Sequence, residues 1–159
     1  MNAFSAAWEM VTTLDPTLVE IVLLSLRVTL SALAIAALVG LPLGALLAVG
    51  RFPGRQGLIV IFNALMGLPP VVVGLAVYLL LSRAGPLGEF GLLFTPSAMV
   101  IAQAILIVPI LAALTRQTIE DLWGEYEEQL RSLGSSAGRA IPTLLWDARF
   151  SLLTVILAG

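Results

Sequence analysis

Apolar residues run through this chain in long blocks, and one polar island breaks them. The blocks cover about 19–49, 58–81 and 97–114, and a shorter one covers 150–159. The island runs from 115 to 149, and ten of the 18 charged residues fall between Arg116 and Arg149. The first block, as a helix, is about 45 Å long, more than the roughly 30 Å of a hydrocarbon core, so it must tilt, protrude or bend. Pro42 marks a bend, and Gly40 and Gly44 flank it. That glycine pair has small-xxx-small spacing, which fits either close helix packing or a flexible bend. Asp15-Pro16 predicts the start of this helix, with Asp as cap and Pro at the first helical position. Residues 1–18 form a mixed segment in which Phe4, Trp8 and Met10 suit a membrane interface.

The second block holds Gly67-Leu-Pro-Pro70. Pro69 and Pro70 remove two backbone donors, so the sequence predicts a broken or kinked helix, tolerated where protein or a water-filled cavity covers the freed carbonyls. The break suits a transport path or a packing kink. Arg83-Ala-Gly-Pro-Leu-Gly88 predicts a turn, followed by a short apolar re-entry and Thr95-Pro96. The third block is close to the minimum length for a span and contains Gln103 and Pro109. An intramembrane amide serves as interhelical glue or as a substrate contact.

Inside the island, Ile119, Leu122, Trp123, Tyr126, Leu130 and Leu133 recur at helical spacing and predict one apolar face. Glu120, Asp121, Glu127, Glu128 and Arg131 fall on the others, and Glu127–Arg131 is a favourable i,i+4 pair. Gly134 predicts a helix stop, and Ser135 or Ser136 a cap for a second, short helix. The last block, about 15 Å as a helix, is half a span. It leads to the expectation of a C-terminally truncated chain.

Composition agrees with the blocks. Of 159 residues, 59% are hydrophobic and 11% charged, with mean hydropathy +1.04. Charged residues normally make up about a quarter of a soluble domain. The fold class is therefore all-α, a polytopic membrane helical bundle with no internal repeat. The first 20 residues hold no Lys or Arg, so no cleavable signal peptide is predicted. Arg51, Arg55, Arg116, Arg131, Arg139 and Arg149 flank one set of loops, and Arg27 and Arg83 the other. The positive-inside rule then puts the island in the cytoplasm and the N-terminus outside.

Candidate chemistry is sparse. With no Cys, His or Lys, the chain offers no thiolate or imidazole ligand and no phosphate-cradling lysine motif. Glu125, Glu127 and Glu128 read as a solvated helix face. No catalytic residue, metal site or bound cofactor is expected, and no nucleic-acid partner. A membrane-embedded enzyme finds no residues to work with.

The island resembles the cytoplasmic loop of permease subunits of type I binding-protein-dependent ABC importers. That loop carries Glu-Ala-Ala, three residues, Gly, about nine residues and Ile-x-Leu-Pro. Glu128 matches the Glu and Gly134 the Gly, with Gln129-Leu130 at the alanines. Leu144 matches the Ile, Trp146-Asp147 replaces Leu-Pro, and Pro142 comes five residues early. Ser25-Leu-Arg-Val-Thr29 with Gly40-Leu-Pro-Leu-Gly44 is similar to the opening of such permeases. Gly67-Leu-Pro-Pro-Val-Val-Val-Gly74, Ser82-Arg-Ala-Gly-Pro-Leu-Gly88 and Leu93-Phe-Thr-Pro96 look most like the oxyanion branch, tungstate first and molybdate next.

The resemblance implies an ABC permease fold, incomplete at the C-terminus, over 19–159. It implies a homodimer in a bacterial or archaeal plasma membrane, an external substrate-binding protein and a separate ABC ATPase subunit that holds the ATP. The ATPase-coupling loop would be Glu128, Gly134, Ser135, Ser136, Ala137, Gly138, Arg139, Ala140 and Ile141. The residues of the path or its kinks would be Pro42, Pro69, Pro70, Gln103 and Pro109. The alternative is a non-transporting membrane scaffold or a permease fragment without activity.

Overall fold

Local sequence signals set most helix boundaries. A computed structural model describes Trp8 and residues 11–158, with the backbone alone at Arg131, Ala137 and Ala158. Phe4 and Met10 lie outside the described residues, and Trp8 is exposed. Helix α1, Pro16–Val49, starts where Asp15-Pro16 predicts. The Asp15 carboxylate accepts from the Thr17 N–H at 2.8 Å and the Leu18 N–H at 3.4 Å, supplying partners for two otherwise orphaned donors. The helix continues across Pro42.

The second block is broken outright. Helices α2, Arg55–Met66, and α3, Pro70–Leu81, meet at 101° across Gly67-Leu68-Pro69. The Gly67 N–H donates to the Ala64 carbonyl and the Leu68 N–H to that of Leu65, both at 3.1 Å, which tightens the last turn of α2. A 3-10 turn at Gly88–Phe90 leads to α4, Pro96–Ser132. Helix α5, Ala137–Asp147, and α6, Arg149–Ala158, follow and meet at 73°. No strand occurs among the described residues.

One boundary differs from the sequence reading. The third block does not stop at Leu114: α4 is a single helix of 37 residues that carries the apolar block straight into the polar island. Backbone hydrogen bonding is indifferent to the change in composition, and the chain holds no Pro and only Gly124 between Thr115 and Leu133 to interrupt it. Pro109 is absorbed inside the helix.

Helices α1 and α4 form the spine. A Cβ placed on Gly40 would lie 2.9 Å from the Leu111 Cβ, and one on Gly44 would lie 2.5 Å from the Ala112 carbonyl oxygen. The small-xxx-small pair is therefore a packing seam. Lipid is as apolar as leucine, so such close van der Waals approach holds helices together where hydrophobicity cannot. Ala32, Ala36, Ile107 and Leu111 fill the seam at mid-length. At its polar end Ala48, Val49, Ile119 and Trp123 are joined by Ala140 and Leu144 of α5. Meanwhile Leu38, Val71 and Leu157 are largely exposed. Apolar groups inside and outside alike are the pattern of a protein solvated by lipid. Helices α1 and α4 are long and apolar enough to cross a membrane, and the bent pairs α2–α3 and α5–α6 pass when each is taken as one span. The architecture is an all-α polytopic bundle.

Candidate functional site: the polar hairpin and the groove at the helix break

The hairpin between α4 and α5 is built from backbone outward. Gly134 has φ +75°, the left-handed conformation that stops a helix. The Ser135 N–H reaches back to the Leu130 carbonyl at 2.9 Å, the six-to-one bond of a Schellman ending. Ser136 then occupies the N-cap position of α5. Its backbone carbonyl accepts from the Arg139 and Ala140 N–H groups at 2.9 and 3.1 Å, but its hydroxyl does not cap the helix. The serine cap expected from sequence is thus positional only. Ser135 Oγ instead donates to the Ser136 carbonyl at 3.4 Å.

Two faces separate on α5. Ala140, Leu144 and Ala148 recur at i,i+4 and are buried against α1 and α4, with Ile141 packed beside them. Gly138, Arg139, Pro142 and Trp146 are exposed, as are Glu128 and Gly134 across the turn. Of the nine residues predicted for this loop, Ala140 and Ile141 hold the hairpin down. Glu128, Gly134, Ser136, Gly138 and Arg139 present its outer surface, and Ser135 is half-buried. The side chains of Ala137 and Arg131 lie outside those described, so the Glu127–Arg131 pair does too. A groove of about 360 Å³ opens between the arms, lined by Tyr126, Gln129, Leu133, Thr143, Trp146 and Asp147.

At the base of the hairpin the basic turn Arg51–Arg55 is tied to α4. Arg55 and Arg116 both donate to the Glu120 carboxylate, and Arg51 pairs with Glu127 at 3.2 Å. Arg55 also donates to the Leu47 and Ala48 carbonyls at 2.6 and 3.3 Å, which closes the C-terminal end of α1. These links were not anticipated from sequence, where Glu120 and Glu127 fell on polar faces of the helix. Their spacing of seven, one face of a helix, was the available signal.

The other group of predicted residues is only partly brought together. Pro70 and Gln103 line one groove of about 470 Å³ beside the α2–α3 break, with Thr29, Met66 and Leu106. The Gln103 Oε1 is buried there without a protein partner. Pro42, Pro69 and Pro109 do not line this groove. Among the described residues no three acidic, imidazole or thiol side chains gather as a metal site would require.

A helical bundle of broken and unbroken spans, with a polar hairpin seated on its end, is the form of a polytopic membrane protein. No family model matches the chain. Individual relatives do. The chain is 37% identical over 151 residues to a tungstate uptake system permease protein from Peptoclostridium acidaminophilum, covering 95% of this chain and 66% of that protein. It is 36% identical over 142 residues to a probable anion ABC transporter permease protein from Haloferax volcanii, covering 89% and 61%. It is 32% identical over 136 residues to the molybdenum transport system permease protein of Escherichia coli K12, covering 79% and 58%. The chain belongs to the ABC transporter permeases. It spans about three-fifths to two-thirds of the length of these relatives.

Proposed function

We propose that this chain forms the membrane-spanning path of an ATP-driven oxyanion importer, with tungstate or molybdate as cargo. The observation that carries the reading is the hairpin. Its inner stripe is packed onto α1 and α4 while Glu128, Gly134, Ser136, Gly138 and Arg139 are exposed on its outer surface. This is the surface a separate ATPase subunit would hold. The relatives' names support the cargo, since they include a tungstate, a molybdenum and a general anion permease. ATP hydrolysis would belong to the partner, so the permease itself is not an enzyme and needs no cofactor. An external binding protein would deliver the oxyanion, and two permease copies would enclose the path.

Orientation follows from charge. Arg51, Arg55 and Arg116 cluster at the hairpin end, which the positive-inside rule assigns to the cytoplasm, with the N-terminus outside. The break between α2 and α3 suits the path itself. Irregular backbone at membrane depth is tolerated beside a polar cavity, and the groove there holds the Gln103 amide and Thr29.

The test is association and uptake. Tagged permease co-expressed with an ABC ATPase of its organism should retain that subunit through purification and support uptake of tungstate or molybdate. Deletion of 128–141, or Gly134→Pro, should release the ATPase while the membrane bundle still inserts. Retention of the ATPase by both variants would overturn the assignment of the hairpin.

A further inference from the structure

We infer that Arg51, Arg55, Glu120 and Glu127 form a clasp that positions the coupling hairpin and carries its movement to the broken helix pair. The inference rests on the coupling role proposed above and names residues that role does not itself require.

Four observations converge on it. The α1–α2 turn is anchored to α4 at two points seven residues apart, Glu120 and Glu127, so it cannot pivot about either. Arg55 bonds at once to Glu120 and to the Leu47 and Ala48 carbonyls, so one side chain joins α4 to the end of α1. Arg55 is also the first residue of α2, and α2 leads directly to the 101° break. Finally, Trp123 lies on α4 between the two carboxylates and is buried against Ala48, Val49 and the α5 stripe. A displacement of the hairpin therefore reaches Glu120 and Glu127 through one continuous helix, and leaves them through two arginines into α2.

Exposure distinguishes the two links. The Arg55, Arg116 and Glu120 side chains are 27%, 13% and 33% exposed, whereas Arg51 is 76% exposed. Exposed ion pairs contribute little, and screening weakens them further. Glu120 is thus the main joint and Arg51–Glu127 the auxiliary one. Arg116 orients Glu120 from the same helix. Glu120 and Arg55 act as positioning residues, since neither needs to touch cargo or ATP.

The assembled transporter, reconstituted in vesicles with its ATPase and binding protein, gives the test. ATP hydrolysed per oxyanion taken up is measured for the wild type, Glu120→Gln, Arg55→Gln, the double variant and the conservative Arg55→Lys. The expected result is that each single neutral variant raises that ratio about fivefold, that the double variant is no worse than either single one, and that Arg55→Lys recovers part of the loss. Retention of the ATPase should be unchanged throughout. A merely structural pair would lower yield and thermal stability but leave the ratio as it was, and that outcome overturns the clasp. If the wild type itself fails to retain the ATPase, the coupling role has failed, and the clasp with it. If retention is normal and the ratio does not move, the clasp alone is wrong.

The chain also permits a check on rigidity. It has no cysteine, so Arg51→Cys with Glu127→Cys introduces the only thiol pair. Relative to the unbridged double-cysteine variant, bridging that pair with a bismaleimide of matching reach should lower the ATP hydrolysed per oxyanion, because the link between the two sides of the clasp is restored. Arrest of uptake on bridging would overturn that view.

Discussion

Gly44 faces the Ala112 carbonyl oxygen so closely that a Cβ on Gly44 would lie 2.5 Å from it and 2.7 Å from the Thr115 Cβ. The first contact is with backbone of a packed helix, which cannot rotate aside. Gly44→Ala should therefore force α1 and α4 apart and cost about 1–3 kcal/mol, the usual range for overpacking. Gly124 is the control. It lies in the interior of α4 with open space around its α-carbon. Gly124→Ala should stabilise by about 0.5–1 kcal/mol through helix propensity alone. Thermal unfolding of both variants in one detergent measures the contrast. Equal shifts would show that the seam is loose.

Gly134 is constrained by backbone and not by space. Its φ is +75°, and a Cβ there would meet nothing within 4 Å. Gly134→Ala should cost about 1–2 kcal/mol from the left-handed conformation, and Gly134→Asn distinctly less, because Asn tolerates that region. Protease cleavage between 130 and 137 should rise in the same order. If Ala and Asn behave alike, the Schellman turn is not what fixes the hairpin angle.

Local chemistry was legible in the sequence where it acts over a few residues. Asp15-Pro16, Gly67–Pro70, Thr95-Pro96 and Gly134 each mark a boundary that the structure keeps. Tertiary partners were not legible. Glu120 reads as a polar-face residue of its helix, yet it takes two arginines, one of them 65 positions away. The length of α4 was missed for a different reason. A switch from apolar to polar composition marks a change of solvent, and a helix crosses such a boundary unbroken. Leu133 is the converse case. It falls at the spacing of the apolar face, but the helix ends at Ser132 and leaves it exposed. In the candidate groove, proximity of Gln103 to Pro70 depends on the 101° break, whose angle no residue pattern specifies.

Asp15 supplies a pH-dependent end to α1. Hydrogen bonds from Thr17, then from Leu18, hold its carboxyl below the ordinary value of 3.8. A depressed folded-state value means that the cap's contribution is complete above about pH 4 and is lost as pH falls through the lowered value. The first turn of α1 should fray in that window. Amide exchange at Thr17 and Leu18, corrected for intrinsic rates, should accelerate there in the wild type. Asp15→Asn keeps an acceptor that does not titrate, so its exchange should follow the intrinsic rate throughout. An identical profile in both proteins would show that the carboxylate does not hold the turn.

Substitution of Gln103 distinguishes a packing role from a role in the proposed path. Its Oε1 is buried without a protein partner in the groove beside Pro70. Burying an unsatisfied amide is unfavourable, so Gln103→Leu, close in volume, should leave thermal stability unchanged or raise it by about 0.5–1 kcal/mol. Interhelical glue would behave oppositely, since removing a made hydrogen bond costs stability. If the amide lines the oxyanion path, the same variant should lower the maximal uptake rate while retention of the ATPase is unaffected. An amide presents N–H donors to an anion, and leucine presents none. Gln103→Asn keeps the donors on a shorter stem and should recover part of the uptake. Stability gained and uptake lost together would assign Gln103 to the path. Stability lost with uptake preserved would make it a packing residue, and the path would then have to run elsewhere in the bundle.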